Sequence, residues 1–323
     1  MSLDADSIVD RRRLRRKLTF WRVCAVLFVI VALAAIGAYV AAPGGSFAER
    51  SGAYIARVSI TGLIRNDSAR VEALDKLMNS RARAVIVHLD TPGGTTAGSQ
   101  QLFGALRRVA AKKPTVVVVD GLAASGGYIA AIAADHIVAQ ETSLTGSIGV
   151  VFQYPNVADL MKTVGIKVEE IKSSPLKAAP NGFEPTSPEA RAAIESIVKD
   201  SYAWFRGLVQ DRRHLDAALL ERVADGRIFT GRQAIELKLV DELGDEQSAV
   251  EWLAKQKNID PKLRIIDWQL KSRFGDLGFL HLAAAKVLGA VGLGSLADWS
   301  TLQALDRINL DGLLALWHPS SAN

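Results

Sequence analysis

The pattern of apolar and polar positions changes character at about residue 50. Residues 23–42 are 20 uncharged positions rich in Val, Ala, Leu and Ile. At about 1.5 Å of rise per residue, a helix of that length matches the ~30 Å hydrocarbon core of a bilayer. Residues 43–52, opening on Pro43-Gly44-Gly45-Ser46, read as a linker. Beyond it, Tyr54–Thr61 alternates like a strand, and residues 82–89 form a Val- and Ile-rich run of the kind buried in parallel sheets. Residues 96–111 have helical spacing, Pro114 opens a second buried strand at 115–120, and 123–134 read as a helix of small residues. A short strand comes next at His136–Ala139, then a long helix at Pro188–Arg213 and a last strand at 263–268. Strands alternating with helices imply right-handed crossovers, hence an α/β fold with a mainly parallel sheet. No internal repeat is present; 53–260 form one domain, and 261–323 an apolar extension.

Composition narrows the class. Apolar residues make up 49% and charged residues 23%, which excludes disordered and low-complexity chains. The single cysteine, Cys24, excludes an intramolecular disulfide and a cysteine zinc site. The net charge is +5, but residues 1–22 carry seven basic against three acidic groups, leaving about +1 for the rest. A nucleic-acid binder would spread basic charge over a folded face, so nucleic acid is not an expected partner.

A basic flank before a first apolar segment keeps the N-terminus in the cytoplasm and exports the chain beyond it. The rival reading is a cleaved signal peptide, whose apolar region usually runs ~7–15 residues. Here the run is longer, and Pro43 follows the small-residue site Val40-Ala41-Ala42. The expectation is therefore a basic cytoplasmic segment at 1–22 and an uncleaved transmembrane anchor at 23–42. The domain beyond the anchor would face the periplasm or cell exterior from an inner (plasma) membrane. Residues 277–297 are also apolar but carry Lys286 at their centre. A central lysine costs roughly 2.5–3.5 kcal/mol on insertion, so this stretch reads as an interfacial or docking segment.

Two loops come directly after predicted strands. Asp90-Thr91-Pro92-Gly93-Gly94 presents backbone N–H groups with no side chain in the way, at the strand end where α/β sheets bind ligands. Taken alone, it reads first as an ordinary tight turn. In Gly121-Leu122-Ala123-Ala124-Ser125-Gly126-Gly127-Tyr128, Ser125 falls where strand turns into helix. There, free amides and the helix dipole favour developing negative charge. The competing role is an N-cap serine, but paired glycines in the first turn do nothing for a cap. A serine nucleophile needs a base. His88 and His136 sit in strands and read as structural, His214 lies near a helix end, and His281 and His318 fall in the extension. A lysine serves if burial lowers its pKa, and the residues alone do not choose among Lys162, Lys167, Lys172 and Lys177.

Taken in order, Asp90-Thr91-Pro92-Gly93-Gly94, Ala123-Ala124-Ser125-Gly126-Gly127-Tyr128, Leu144-Thr145-Gly146-Ser147-Ile148-Gly149-Val150, and Ile171-Lys172-Ser173 with a lysine shortly after resemble the signal peptide peptidase SppA family. The stretches 224–231 and 239–244 extend the resemblance, which covers about two thirds of the chain. It implies a ClpP/crotonase-like fold and a Ser–Lys dyad, with Ser125 as nucleophile and Lys177 as general base. It makes Ser147 the residue orienting that base, and Gly94 and Gly126 the backbone donors of an oxyanion hole. Pro175 departs from the expected pattern beside Lys177. The implied activity is a serine endopeptidase acting on remnant signal peptides and unfolded apolar segments, without cofactor, in a homo-oligomeric ring. A crotonase-type acyl-CoA enzyme and a catalytically silent membrane scaffold are the alternatives.

Overall fold

The computed structural model describes residues 17–27, 29, 52–270 and 314–316. The chain divides into two units, 1–52 and 53–323. Of the first, residues 17–27 are helical and expose Leu18, Phe20, Trp21, Val23, Val26 and Leu27. Most of the expected membrane anchor, residues 30–42, lies outside the described residues, as does the apolar stretch 277–297. Among the described residues, no helix is long and apolar enough to cross a membrane.

The second unit is built on a parallel sheet. Its strands are β1 (Tyr54–Thr61), β2 (Ala82–Thr91), β4 (Thr115–Ala124), β5 (His136–Ala139), β6 (Leu144–Gly146), β7 (Ile228–Thr230), β8 (Glu242–Leu243) and β9 (Ile265–Asp267). The main path runs β7-β6-β4-β2-β1-β9, with β5 against β4 and β8 against β5. Within this sheet only the β6–β7 pair is antiparallel. The expected α/β class with a mainly parallel sheet is therefore present.

Period-2 alternation explains why β2 and β4 read as continuous apolar runs. Val85, Val87, Val117 and Val119 face a core that contains Leu74, Leu77, Leu102, Leu106, Phe205 and Val209. Their neighbours Ala84, Ile86, Val116 and Val118 face a second core with Ala249 and Leu253. The first core is covered by α1 (Ser68–Met78), α2 (Thr96–Ala110), α3 (Gly126–Ala131) and α5 (Pro188–Arg213), the second by α8 (Glu246–Lys257). Each fully buried Val, Leu or Ile contributes about 1.5–3 kcal/mol, so two-sided burial fixes the strands firmly. Three shorter helices, α4 (Ala158–Thr163), α6 (Ala217–Val223) and α7 (Gly231–Glu236), complete the described set. Helix α5 starts with Ser187 capping Ala190 N and Pro188 in the first turn, and ends at His214 with left-handed φ, ψ of 51°, 42°.

Two short segments of the frame shape the serine turn. Gly93–Thr95 forms a three-residue strand, β3, which pairs antiparallel with β10 (Leu314–Leu316). The strand expected at 115–120 continues to Ala124, and the helix expected at 123–134 is confined to Gly126–Ala131. The small residues that suggested helix are those that let β4 bond β6 at Leu122–Ala124, after bonding β5 at Val116–Val119.

One ionic network ties the strand ends to α8. Arg57 bonds Glu246 through Nε at 2.5 Å and Nη2 at 2.6 Å, and Asp267 through Nη1 at 3.0 Å. His88 places Nδ1 2.9 Å from Asp120 and Nε2 2.9 Å from Glu246. His136 lies 3.0 Å from Glu242 and stacks on Trp252. Both strand histidines are thus structural, as their positions suggested. The Arg57 guanidinium, aided by His88, holds the Glu246 carboxyl below its ordinary 4.5 despite the opposing effect of burial. A carboxyl whose folded pKa is depressed stabilises the fold fully above its unfolded value and loses that contribution as pH falls through the folded one. The melting temperature of Glu246→Gln should therefore lie below that of the parent at pH 7, and the gap should close as pH falls below about 4.5. A gap independent of pH would show that the loss does not come from the ionised Arg57–Glu246 pair.

Candidate active site

Ser125 stands at the junction of β4 and α3 with φ 53° and ψ −114°. That conformation is close to the first central position of a type II′ turn, which glycine dominates. Two backbone bonds hold it: Ser125 N donates to Gly146 O at 2.8 Å, and Ile129 N donates to Ser125 O at 3.0 Å. The side chain occupies the N-cap position yet makes no capping hydrogen bond, and the residue is 1% exposed. The simple helix-cap role is thereby eliminated: Ser125 bears a strained backbone and leaves its hydroxyl unused by the helix. A strand-to-helix turn of this kind is how α/β-hydrolases present a nucleophilic serine.

The paired glycines after Ser125 have a steric reason. A Cβ on Gly127 would lie 2.8 Å from both Thr91 O and Thr91 Cγ2. Gly94 is packed more tightly still, and a Cβ there would collide with the Ile64 carbonyl. Thr91 Oγ1 donates to Gly62 O at 2.6 Å and accepts from Gly93 N at 3.1 Å, fixing the turn that carries β3. Helix α3 packs on both β2 and β3, so the Gly94 and Ser125 turns lie side by side. No protein acceptor takes the Gly126 amide among the described residues. Because α3 has only six residues, individual amides and not a long helix dipole must supply any oxyanion stabilisation.

Ser147 follows Gly146, the acceptor for Ser125 N, and the register Ala124↔Gly146 sets the two serines beside each other. Ser147 is 8% exposed, has φ 51°, and donates its amide to Arg227 O at 2.7 Å. Gly146 has φ 90°, and a Cβ there would lie 2.8 Å from Phe229 Cδ2. Residues 224–231 thus serve as a brace for the Ser147 turn. Near by, Val150, Val151, Phe152, Tyr154, Ile194 and Val198 line a cavity of about 300 Å³.

The lysines sort differently. Lys177 lies on an exposed turn, and its side chain has no hydrogen bond or ion pair among the described residues. Within one chain it is not bonded to the buried Ser125. Lys172 bonds Glu170 at 2.6 Å and Glu184 at 2.7 Å, which raises its pKa. That is the wrong direction for a base. Lys162 and Lys167 are exposed. Sequence reasoning missed Gly146 and the Arg227–Phe229 brace, although glycine immediately before Ser147 was a visible signal for a positive φ.

Strain at Ser125 has a measurable consequence. Ser125→Gly should raise stability by about 1 kcal/mol, because relief of about 1–3 kcal/mol of backbone strain outweighs the extra entropy of an unfolded glycine. In a domain of this size that is roughly 2–4 °C in melting temperature. Ser125→Ala, which keeps the Cβ, should show no such gain. Equal melting of Ser125→Gly and the parent would contradict the strain.

Comparison with known proteins agrees with this geometry. The model of peptidase family S49 matches residues 107–260, which include Ser125, Ser147 and Lys177. A protein of Synechocystis sp. named as a candidate protease is 36% identical over 209 residues, covering 64% of this chain and 76% of that one. A protein of Enterococcus faecium named as a candidate signal peptide peptidase SppA is 32% identical over 190 residues, covering 58% and 55%. A solved ClpP1 mutant from Listeria monocytogenes gives a TM-score of 0.40 at 14% identity, over 58% of this chain and 91% of that one. That last likeness is one of outline and carries no functional inference. With its serine turn, glycine-lined loops and this sequence relationship, the chain belongs to peptidase family S49.

Proposed function

We propose that the protein is a serine endopeptidase in which Ser125 is the nucleophile and Lys177 of a neighbouring copy is the general base. The observation that carries this reading is Ser125 itself: buried, backbone-strained and uncapped at a strand-to-helix turn. A neutral lysine takes the proton from Ser125 Oγ, and the alkoxide attacks the scissile carbonyl. The Gly94 and Gly126 amides donate to the tetrahedral oxyanion. Collapse expels the amine, which takes a proton from the lysine. The acyl-enzyme is then released by water activated by the same lysine, and Ser147 orients the amine. No metal or organic cofactor enters these steps.

Assembly from more than one chain is supported by what the single chain leaves undone. Lys177 is exposed, and the segment around it displays Leu160, Val164, Ile166, Val168, Ile171, Leu176 and Phe183 to solvent. So many exposed large apolar residues in one arm mark an interaction surface. Burial there against another copy would take the lysine out of water and bring it within reach of a neighbouring Ser125. A closed homo-oligomeric ring is the expected arrangement. The basic flank at 1–22, the uncharged run at 23–42 and the exposed apolar residues of the 17–27 helix support anchoring in the bacterial plasma membrane. The catalytic domain then faces away from the cytoplasm, where remnant signal peptides and unfolded apolar segments are the substrates.

Mixing inactive variants tests the assignment. Ser125→Ala and Lys177→Ala should each lose at least ~1,000-fold in peptide hydrolysis while melting like the parent, whereas Lys172→Ala should stay active. Mixed assemblies of the two inactive chains should recover a fraction of wild-type activity. Mixed assemblies that form yet stay inactive would place the dyad within one chain. Full activity in Lys177→Ala would remove that lysine from the mechanism.

A further inference from the structure

The three residues Leu314–Leu316 lie in the chain 163 positions beyond Val151, yet they form a strand inside the candidate site. On one edge, Leu314 exchanges both of its backbone hydrogen bonds with Val151: Leu314 N to Val151 O and Val151 N to Leu314 O, each 3.1 Å. Alternation along a strand turns the peptide groups of the next residue to the opposite edge. There, Ala315 is the antiparallel register partner of Gly94.

The same alternation operates on β3. Ile64 N donates to Gly93 O at 2.8 Å, and Thr95 N donates to Ile64 O at 2.9 Å. The groups of Gly93 and Thr95 are thus spent on Ile64, and those of Gly94 face β10. The Ala315 backbone therefore lies against the Gly94 amide, the group assigned to the oxyanion. Strand β10 also packs on α3, which begins immediately after Ser125, and Leu314 is 9% exposed.

An extended segment with backbone bonds on both edges and an aliphatic side chain buried between them is what a peptide docked by strand addition looks like. We propose that residues Leu314–Leu316 are a built-in competitor of substrate: they fill the peptide slot between Gly94 and Val151 and keep the full-length chain self-occluded. The occupant is fixed by register on two independent edges and not by apolar character alone. This inference rests on the reading of Gly94 and Ser125 as catalytic groups. Its consequence is that the enzyme works only when this segment is drawn out of the slot or outcompeted.

The test uses the full-length chain and two variants that act by different physics. Leu314→Asp puts a charge where an apolar side chain is buried, and Ala315→Pro removes the N–H facing Gly94. Hydrogen exchange reads occupancy without catalysis: the Val151 and Gly94 amides should be protected in the parent and exchange about tenfold faster in both variants. With an apolar peptide substrate, KM should fall about tenfold with kcat little changed, since a competitor affects only apparent binding. Unchanged exchange together with unchanged KM in both variants overturns the occlusion and leaves the peptidase reading intact. Faster exchange in variants that, like the parent, hydrolyse nothing overturns the peptidase reading and supports the occupancy.

Discussion

The site depends on one backbone constraint: strand β4 must turn sharply into α3 at a residue that is not glycine. Ser125 meets it at φ 53°, ψ −114°, held by the bonds from its own amide to Gly146 and from Ile129 to its carbonyl. Everything near by is shaped around that turn. Gly127 is needed because Thr91 approaches too closely for a side chain, and Gly94 because Ile64 does. The Gly146 turn sets Ser147 in the adjoining position, and Arg227 and Phe229 brace it from behind. Two-sided burial of β2 and β4 makes the frame stiff enough to store the strain.

Much of this frame is legible from residue pattern. Tyr54–Thr61, His136–Ala139 and Pro188–Arg213 are found with the bounds read from the sequence, because two-fold or 3.6-fold periodicity is strong there and caps or prolines mark the ends. Residues 121–124 are strand where the pattern suggests loop and helix. Gly-Leu-Ala-Ala has no β-branched residue, and its strand character comes from pairing with Leu144–Gly146, which is not a local property. The strands β3 and β10 are invisible for the same reason, since three residues carry no period. Ser125 is legible because the paired glycines make a helix cap an inadequate explanation. Lys177 is not legible from residues alone: its partner lies outside the single chain in the proposed arrangement, and only a family resemblance singles it out.

Stability and function divide along the chain. The sheet and its two cores satisfy their own apolar surface, whereas the arm from Val151 to Phe183 leaves apolar side chains in solvent. The exposed arm carries Lys177, and the buried frame carries Ser125. In the proposed arrangement a peptidase divided in this way would be inert as a monomer and competent on assembly. On the proposed occlusion, strand Leu314–Leu316 would be a second restraint, so that assembly and displacement of that segment would both precede turnover.

The central claim is that Ser125 is the nucleophile. The most direct measurement is to treat the assembled full-length protein with a serine-directed acylating probe and locate the adduct by peptide mass spectrometry. The account predicts one adduct per chain, on Ser125, absent from Ser125→Ala and reduced in Lys177→Ala. An adduct on another serine, Ser147 included, or no adduct in a preparation that hydrolyses peptides, would contradict it.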